Sequence, residues 1–562
     1  MIVLGITDGH DSGAAVIKDG KILAAVNEER LAREKLFFGT PRKSIAKVLD
    51  LAGIGPGQVD KVAIAARLGY MASMGWTNLS LKKKVYQFLC NRAGFWASTN
   101  SFANLQRAVF SRTRSQETAE YTRSLGVDAP VEYVDHHLCH AASAYYTSGK
   151  DECLVLTSDG SGDANSSTVY LGRDNDLKCI KQVPTFHSIA YYYAYVTLLA
   201  GFKMFRHEGK ITGLAAYGDA SVCYDTFRRA FAYKNGQPTN TIGLMGQGAI
   251  DYLKKNLAGV DPKHYSAAVQ QRLEEVMSKF AADYAGKTKI PDLAAAGGIF
   301  ANVKLNQKIL ETKGIRSVYI HPHMGDGGIG VGAALQVSAQ NMLDRGSGLK
   351  PYQLDNVYFG PGFTNAEVEA SIENNGLTGE HIANIEKYTA EKIADKKVVG
   401  HFGGRMEYGP RALGNRSILA DPTDTTINDW LNQRLKRTEF MPFAPSILDR
   451  AAPEYYEGYE RGQYPARFMT ITFDDKKEAQ KAKAVVHVDN TTRPQVVSAK
   501  QNPRYYKILK HYEQETGLPI FVNTSFNIHE EPIVCSPDDA LRSFKKGTCD
   551  VLVMGNWVVS ND

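Results

Sequence analysis

His136 and His140 stand four residues apart in His136-His137-Leu138-Cys139-His140, and Asp159-Gly160-Ser161-Gly162-Asp163 follows soon after. On a helix, positions i and i+4 lie on one face. Two imidazoles held that way can grip one metal ion, as in H-E-x-x-H motifs. Here the residue after His136 is His137 rather than glutamate, so the spacing does not describe a protease zinc site. The plainer alternative is a pair of packing histidines at a helix start. Asp159 and Asp326, the latter in Gly325-Asp326-Gly327-Gly328, add two carboxylates. Two nitrogens and two carboxylates suit iron, manganese or zinc more than calcium. An ion there would orient phosphates or polarise a carbonyl group. Alternatively, both aspartates simply terminate strands.

Further polar groups cluster near the start of the chain and in its second half. His10, in His10-Asp11-Ser12, titrates near neutrality and can accept a proton from an attacking hydroxyl or amine. Lys35, after Glu28-Glu29-Arg30, can neutralise a phosphate. The run from Gly403 to Ser417 is rich in glycine and arginine and contains Arg411. With Lys436, Arg437, Arg493, Arg504 and the segment Val522-Asn523-Thr524-Ser525-Phe526-Asn527, it describes a second anion site. A buried arginine in such a turn can equally be a tie between loops.

These groups need elements to hold them. Met1 to Thr7 reads as a strand that turns through Asp8 to Gly13 into a second strand, Ala14 to Ile17. Asp19-Gly20 marks a hairpin into a third, Ile22 to Asn27. Apolar spacing predicts a helix from Thr40-Pro41 through Leu51. A strand at 153–157 runs into an Asp159-Gly160-Ser161-Gly162 turn, and a strand at 293–296 runs into Gly297-Gly298 and Asn302 before a helix. Strand, glycine turn and helix present backbone N–H groups to phosphates. The order of these turns resembles the actin/sugar-kinase/heat-shock ATPase superfamily. The resemblance implies nucleotide binding at Gly160, Gly162, Lys210, Gly297, Gly298 and Asn302. Residues 350–362 read as a linker, followed by a second α/β unit with a strand at 397–401, a helix near 426–435 and a strand at 519–522. The tyrosines of Tyr191-Tyr192-Tyr193-Ala194-Tyr195 read as core, or as lining for a sugar or polyketide pocket.

With 562 residues the chain calls for two or three domains. Hydrophobic residues at 43%, charged residues at 22% and a net charge of +6 describe a soluble globular protein with no marked pull toward nucleic acid. The seven cysteines are scattered with no C-x-x-C pair, which argues for a reducing compartment. No signal peptide or membrane-length apolar run is read, so the expected location is the cytoplasm. Residues 61–116 contain no Asp or Glu but carry Lys82-Lys83-Lys84 and several arginines among aromatics. This segment reads as a surface for an anionic partner or as a solvated helical insert.

Several longer motifs resemble the NodU/CmcH-type O-carbamoyltransferase family. They include Asn27-Glu28-Glu29-Arg30, His136 through Tyr146, Gly209 through Gly218, Gly409-Pro410-Arg411-Ala412-Leu413-Gly414, Pro442 through Ser446, Thr492-Arg493-Pro494-Gln495 and Asn523 through Asn527. They occur in family order across nearly the whole chain. The resemblance implies a threonylcarbamoyl-transferase-like domain over residues 1–348 and a YrdC-like domain over 349–562, an α/β and α+β pair. It implies ATP with Mg2+, carbamoyl phosphate as co-substrate, and Fe2+ or another divalent metal on His136, His140, Asp159 and Asp326. It implies His10 as general base and Lys35, Arg411, Arg493 and Asn523, with Lys436 and Ser525 close by, as the carbamoyl-phosphate and adenylate site. The family pattern departs at Met441, where some members carry an arginine; Arg437 or Lys436 would have to stand in. The expected partner is a small-molecule acceptor, anionic acceptors included, and a homodimer is the default assembly. Competing readings are a superfamily kinase, a tRNA threonylcarbamoylation enzyme, and an actin-like switch.

Overall fold

The strand Ile2–Thr7 (IVLGIT) is buried along almost its full length, as expected of a strand covered on both faces. In this computed structural model, which describes residues 1–67, 115–437 and 440–560, it is central to the first of two mixed sheets in unit 1. Unit 1 comprises Met1–Ile22 and Phe38–Gln353, and unit 2 comprises Leu23–Phe37 and Leu354–Asp562. In the first sheet, Ile2–Thr7 pairs antiparallel with Gly13–Lys18 and parallel with Lys61–Ala65, which pairs parallel with Val131–Val134. In the second, Cys153–Gly162 pairs antiparallel with Asn165–Arg173 and parallel with Asp292–Ala296, which pairs parallel with Ser317–Ile320. Both sheets thus carry an antiparallel neighbour on one side of a leading strand and two parallel strands on the other. This duplication leaves no trace as a sequence repeat, because only the apolar pattern is shared.

Two helices bring the ends of these sheets together. Ile329–Asp344 packs on both His136–Tyr146 and strand Ile2–Thr7. The approach is close: a Cβ on Gly332 would lie 1.8 Å from the Cys139 carbonyl oxygen. The tyrosine run lies in helix Ile189–Leu199, with Tyr191, Tyr192, Tyr193 and Tyr195 all buried as core. The expected turn at 159–162 is instead the end of a strand, which runs on to Gly162. The reversal falls at Asp163 and Ala164, both with positive φ. The pairing register shifts between Ser158 and Gly162, so the strand continues past the irregularity that the glycines suggested was its end.

Unit 2 is built on an eight-stranded mixed sheet. Strand Ile520–Ser525 lies between Arg416–Ala420 and Ala444–Leu448, antiparallel to both. Asn523 and Ser525 are therefore in the strand, not beyond its end. Residues 23–37 belong to this unit because arginines tie them there. Arg33 donates to the carbonyls of Ile533 (2.7 Å) and Pro532 (2.8 Å), and Arg30 to that of Gly409 (2.9 Å). Of the basic aromatic segment expected at 61–116, the first residues are the core strand Lys61–Ala65, and residues 68–114 lie outside the described residues. Among the described residues no helix is long and apolar enough to cross a membrane.

Candidate active site

Helix His136–Tyr146 begins at Asp135, whose carboxylate caps it by accepting from the N–H groups of His137 (3.0 Å) and Leu138 (3.2 Å). The N–H of His136 itself donates to Asp163 at 2.7 Å. The first turn is therefore fixed from both sides, and the rings at 136 and 140 share a face. His140 Nε2 lies 3.2 Å from Asp159 Oδ2 and 3.5 Å from Asp326 Oδ1; His136 Nε2 lies 3.8 Å and 3.6 Å from the same atoms. Donors ~2.1 Å from one ion at angles of 90–110° stand roughly 3.0–3.4 Å apart. The His140–Asp159 pair lies in that range and the other three pairs are 0.1–0.4 Å wider, so the four residues can hold one ion with a small contraction of the cluster. Asp326 Oδ1 is buried and accepts no hydrogen bond, as expected of an oxygen kept for a ligand.

His137 has a different task. Its Nε2 faces the Asn165 carbonyl at 3.1 Å and must donate, so Nδ1 accepts from the Thr157 hydroxyl at 2.7 Å. Burial, then the neighbouring His136 and His140, hold its pKa well below the usual imidazole value, so it is neutral. Burial raises Asp326 to about 7. Burial alone would raise Asp159 as well, but the hydrogen bonds and charges of His136 and His140 hold it well below the carboxylate range. His136 is raised: burial opposes its charge, and Asp159 outweighs burial. His140 is lowered, chiefly by burial.

A metal entering this cluster must displace the Asp326 proton below about pH 7 and a proton from His136. Apparent affinity is therefore expected to rise with pH through that region, by at least about tenfold per unit for one displaced proton on the acid side. Metal titrations at three pH values around neutrality, with proton release recorded in two buffers, check this.

Gly162 makes room for the first histidine. A Cβ there would lie 1.9 Å from His136 Cδ2, so the ring would have to move. Gly162→Ala is expected to weaken metal binding by about 10–100-fold and to lower stability by about 1–3 kcal/mol. Metal titration and urea unfolding read the two effects.

The other glycines expected to contact nucleotide are placed around Asp159. Gly160 N–H donates to Asp159 Oδ1 at 2.6 Å and Gly298 N–H to Oδ2 at 3.2 Å. Gly297 has φ of +113°, and a Cβ there would meet the Ser158 carbonyl oxygen. Asn302 caps helix Val303–Glu311 and donates to Gln270 at 2.8 Å. Lys210 is buried on helix Glu208–Ala215, its amine 5.3 Å from the Phe202 ring centre.

His10 sits in the turn between the first two strands, and that turn is anchored on both sides of it. The Thr118 hydroxyl donates to Asp8 (2.8 Å), Gly39 N–H donates to the Gly9 carbonyl (3.2 Å), and Asp11 lies 4.0 Å from His323 Nε2. His323 lies three residues before Asp326, so the His10 turn and the metal-ligand segment are neighbours. The sequence reading missed His321 and His323; His-Pro-His just ahead of the candidate ligand was the available signal. Burial lowers His321 to about 4.

In unit 2 the Gly-Pro-Arg loop folds around one buried carboxylate. Glu407 Oε1 accepts from the N–H groups of Leu413 (2.8 Å), Asn415 (2.7 Å) and Arg416 (3.2 Å). Glu407 was not singled out beforehand, although it is the one acid in the Gly403–Ser417 run. Arg416 is wholly buried; it donates to the carbonyls of Gly403, Gly404, Asn415 and Pro361 and lies over Phe402. Arg437 is likewise a tie. It donates to Thr524 Oγ1, to both oxygens of Ser525, and to both oxygens of Asn527. That use makes it a poor stand-in for an arginine at Met441.

Arg411 and Arg493 are half-buried, Lys436 is exposed, and Asn523 is buried. One hydrogen-bond network draws their segments together. Asn523 Nδ2 donates to the carbonyl of Ala412, next to Arg411, and to Gln495 Oε1, two residues from Arg493. Lys35, although early in the chain, belongs to this unit. Thus Lys35, Arg411, Lys436, Arg493, Asn523 and Ser525 are residues of unit 2, while His10 and the four candidate metal donors are residues of unit 1.

Known proteins match over both units. A family profile described as Carbamoyltransferase N-terminus matches residues 2–335, and one described as Carbamoyltransferase C-terminus matches 390–561. An uncharacterized protein of Methanocaldococcus jannaschii is 32% identical over 576 aligned residues, covering 100% of this chain and 99% of that one. Nodulation protein NolNO of Sinorhizobium fredii is 32% identical over 560, covering 98% of this chain and 79% of its own. The solved structure of full-length HypF in its phosphate- and nucleotide-bound form superposes at a TM-score of 0.34 with 12% identity, over 61% of this chain and 46% of that one, a likeness too slight to argue from. With one profile over most of unit 1, another over most of unit 2, and relatives aligned end to end, the chain belongs to the carbamoyltransferase family.

Proposed function

We propose that this protein is an ATP- and carbamoyl-phosphate-dependent carbamoyltransferase that passes the carbamoyl group to a hydroxyl, or an amine, of a small molecule. The observation that carries this is the unit 2 network joining the Arg411 and Arg493 segments through Asn523 and Gln495, separate from the metal-binding residues of unit 1. A transferase that only moved a ready-made activated group would not need a second anion site.

On this reading unit 2 is YrdC-like and forms carbamoyladenylate. Carbamoyl phosphate is hydrolysed to carbamate and phosphate; a carbamate oxygen attacks the α-phosphorus of ATP, and pyrophosphate leaves. Arg411, Arg493 and Lys35 offset the charge that develops on the phosphates, each well-placed donor contributing ~3 kcal/mol. Unit 1, read as an actin/sugar-kinase-like domain, then binds the adenylate. The acceptor oxygen bonds to the carbamoyl carbon, AMP departs with the bonding pair, and His10 takes the acceptor proton. A divalent metal, which we propose to be iron, on His136, His140, Asp159 and Asp326 would supply charge to orient phosphate or polarise a carbonyl.

The test is incubation with ATP, Mg2+ and carbamoyl phosphate without acceptor. Pyrophosphate release that requires both substrates, with carbamoyladenylate seen by mass spectrometry, is expected. Formation of ADP instead would replace this reading with a kinase.

A further inference from the structure

The amide orientations around Asn523 are fixed by backbone carbonyls, and they leave one oxygen over. Gln495 Nε2 donates to the Leu413 carbonyl at 2.8 Å. A carbonyl can only accept, so the nitrogen of Gln495 is on that side and its Oε1 on the other. Oε1 accepts from the Ser446 hydroxyl and from Asn523 Nδ2, each at 2.7 Å. Asn523 Nδ2 also reaches the Ala412 carbonyl at 3.3 Å and Ser446 Oγ at 3.1 Å. A second backbone carbonyl therefore sets the Asn523 amide independently of the first. Ser446 gives its proton to Gln495, so it accepts from Tyr505 Oη at 2.8 Å. Every polar atom in the relay is matched except Asn523 Oδ1. That oxygen is buried in a residue 1% exposed and accepts no hydrogen bond.

A buried acceptor held in one orientation by two carbonyls selects for a ligand with an N–H or O–H donor. Arg411 adjoins Ala412 and Arg493 lies two residues from Gln495, so the segments that hold Asn523 also carry two cations, which suits a donor-bearing ligand that is an anion. We propose that Gln495 is a positioning residue. Through the Leu413–Gln495–Asn523 relay it presents Asn523 Oδ1 to the amino group of the carbamoyl donor, and so excludes acyl phosphates that carry a methyl there. The inference rests on the reading of carbamoyl phosphate as donor. Acetyl phosphate has nearly the same shape, so size alone cannot reject it. A methyl group cannot donate, and binding it would leave Oδ1 desolvated and unpaired. Sites that hydrogen-bond a substrate N–H or O–H reject the analogue lacking it far better than apolar pockets sort by size.

The experiment is equilibrium binding to the full chain, without ATP, of carbamoyl phosphate, acetyl phosphate and inorganic phosphate. The wild type is expected to prefer carbamoyl over acetyl phosphate by at least about 100-fold. Asn523→Leu and Gln495→Met are expected to bring that ratio below about tenfold, while inorganic phosphate affinity changes by less than about threefold. A structural role alone would move all three ligands together. Equal binding of carbamoyl and acetyl phosphate by the wild type would overturn the relay and spare the donor reading, and that comparison needs no variant to fold. An undiminished ratio in folded Gln495→Met and Asn523→Leu would overturn it too. Failure of wild type to bind carbamoyl phosphate, with phosphate bound, would overturn the donor reading and this inference with it.

Discussion

Arg411→Ala is expected to cut pyrophosphate release from ATP and carbamoyl phosphate by about 10²–10³-fold, with metal content unchanged. The expectation comes from sorting the arginines of unit 2 by what their guanidinium groups do. Arg405 donates to the carbonyls of Gly360, Phe359 and Leu23. Arg416 serves four carbonyls, and burial lowers its pKa to about 10. Truncating Arg416 would strip buried acceptors of their partners and damage the fold. Arg411 sits half-buried on the loop that Glu407 organises, next to the residue that receives Asn523 Nδ2. Its removal takes a cation from the proposed anion site, while the Glu407 contacts that organise the loop run through the backbone N–H groups of Leu413, Asn415 and Arg416 and stay in place. Arg411→Lys restores charge but not the planar fork, so it is expected to recover only part of the rate. A fully active, folded Arg411→Ala enzyme would move the activation site elsewhere.

Much of the unit 1 site was legible in the sequence because helical spacing is a strong signal. An i, i+4 pair shares a face whatever the fold, and aspartates beside glycines at strand ends were few enough to list. Which atoms then face Asp159 was not legible. The N–H groups of Gly160 and Gly298 turn toward its carboxylate, and that follows from two strands meeting rather than from either motif. In unit 2 residue type revealed an excess of cations but not their division of labour. Arg416 and Arg437 look like anion ligands in the sequence, yet the structure commits their donors to loop oxygens. The membership of Lys35 was equally hidden. It depends on Arg30 and Arg33 reaching carbonyls hundreds of residues away, and no local pattern encodes such a reach. Asn523 was expected beyond a strand end; it lies within the strand, paired with Leu419 and Ala444, since buried polar residues interrupt the apolar run by which strands are read.

His140→Ala is expected to lose metal and the transfer half of the reaction while keeping the activation half. Removing one of four donors should weaken metal binding by more than about 100-fold, since even changes outside the ligand set cost 10–100-fold. The Nε2 of this ring is spent on the two carboxylates of the cluster rather than on a loop. Its loss leaves Asp159 with His136 and two backbone N–H groups. Burial already disfavours the charge on Asp326, so metal must still displace its proton below about pH 7 with one ligand fewer to bind it. His137→Asn provides the contrast. The nitrogens of that ring bridge Thr157 and the Asn165 carbonyl, and it meets the rings of His136 and His140 without offering a nitrogen to the cluster. Its replacement is expected to cost stability and to retain the metal. Metal stoichiometry, pyrophosphate release without acceptor, and carbamoylation of an acceptor separate these outcomes. A His140→Ala protein that keeps stoichiometric metal would show that the ion, if any, sits elsewhere. One that loses pyrophosphate release along with metal would show that the two units do not divide the reaction as proposed.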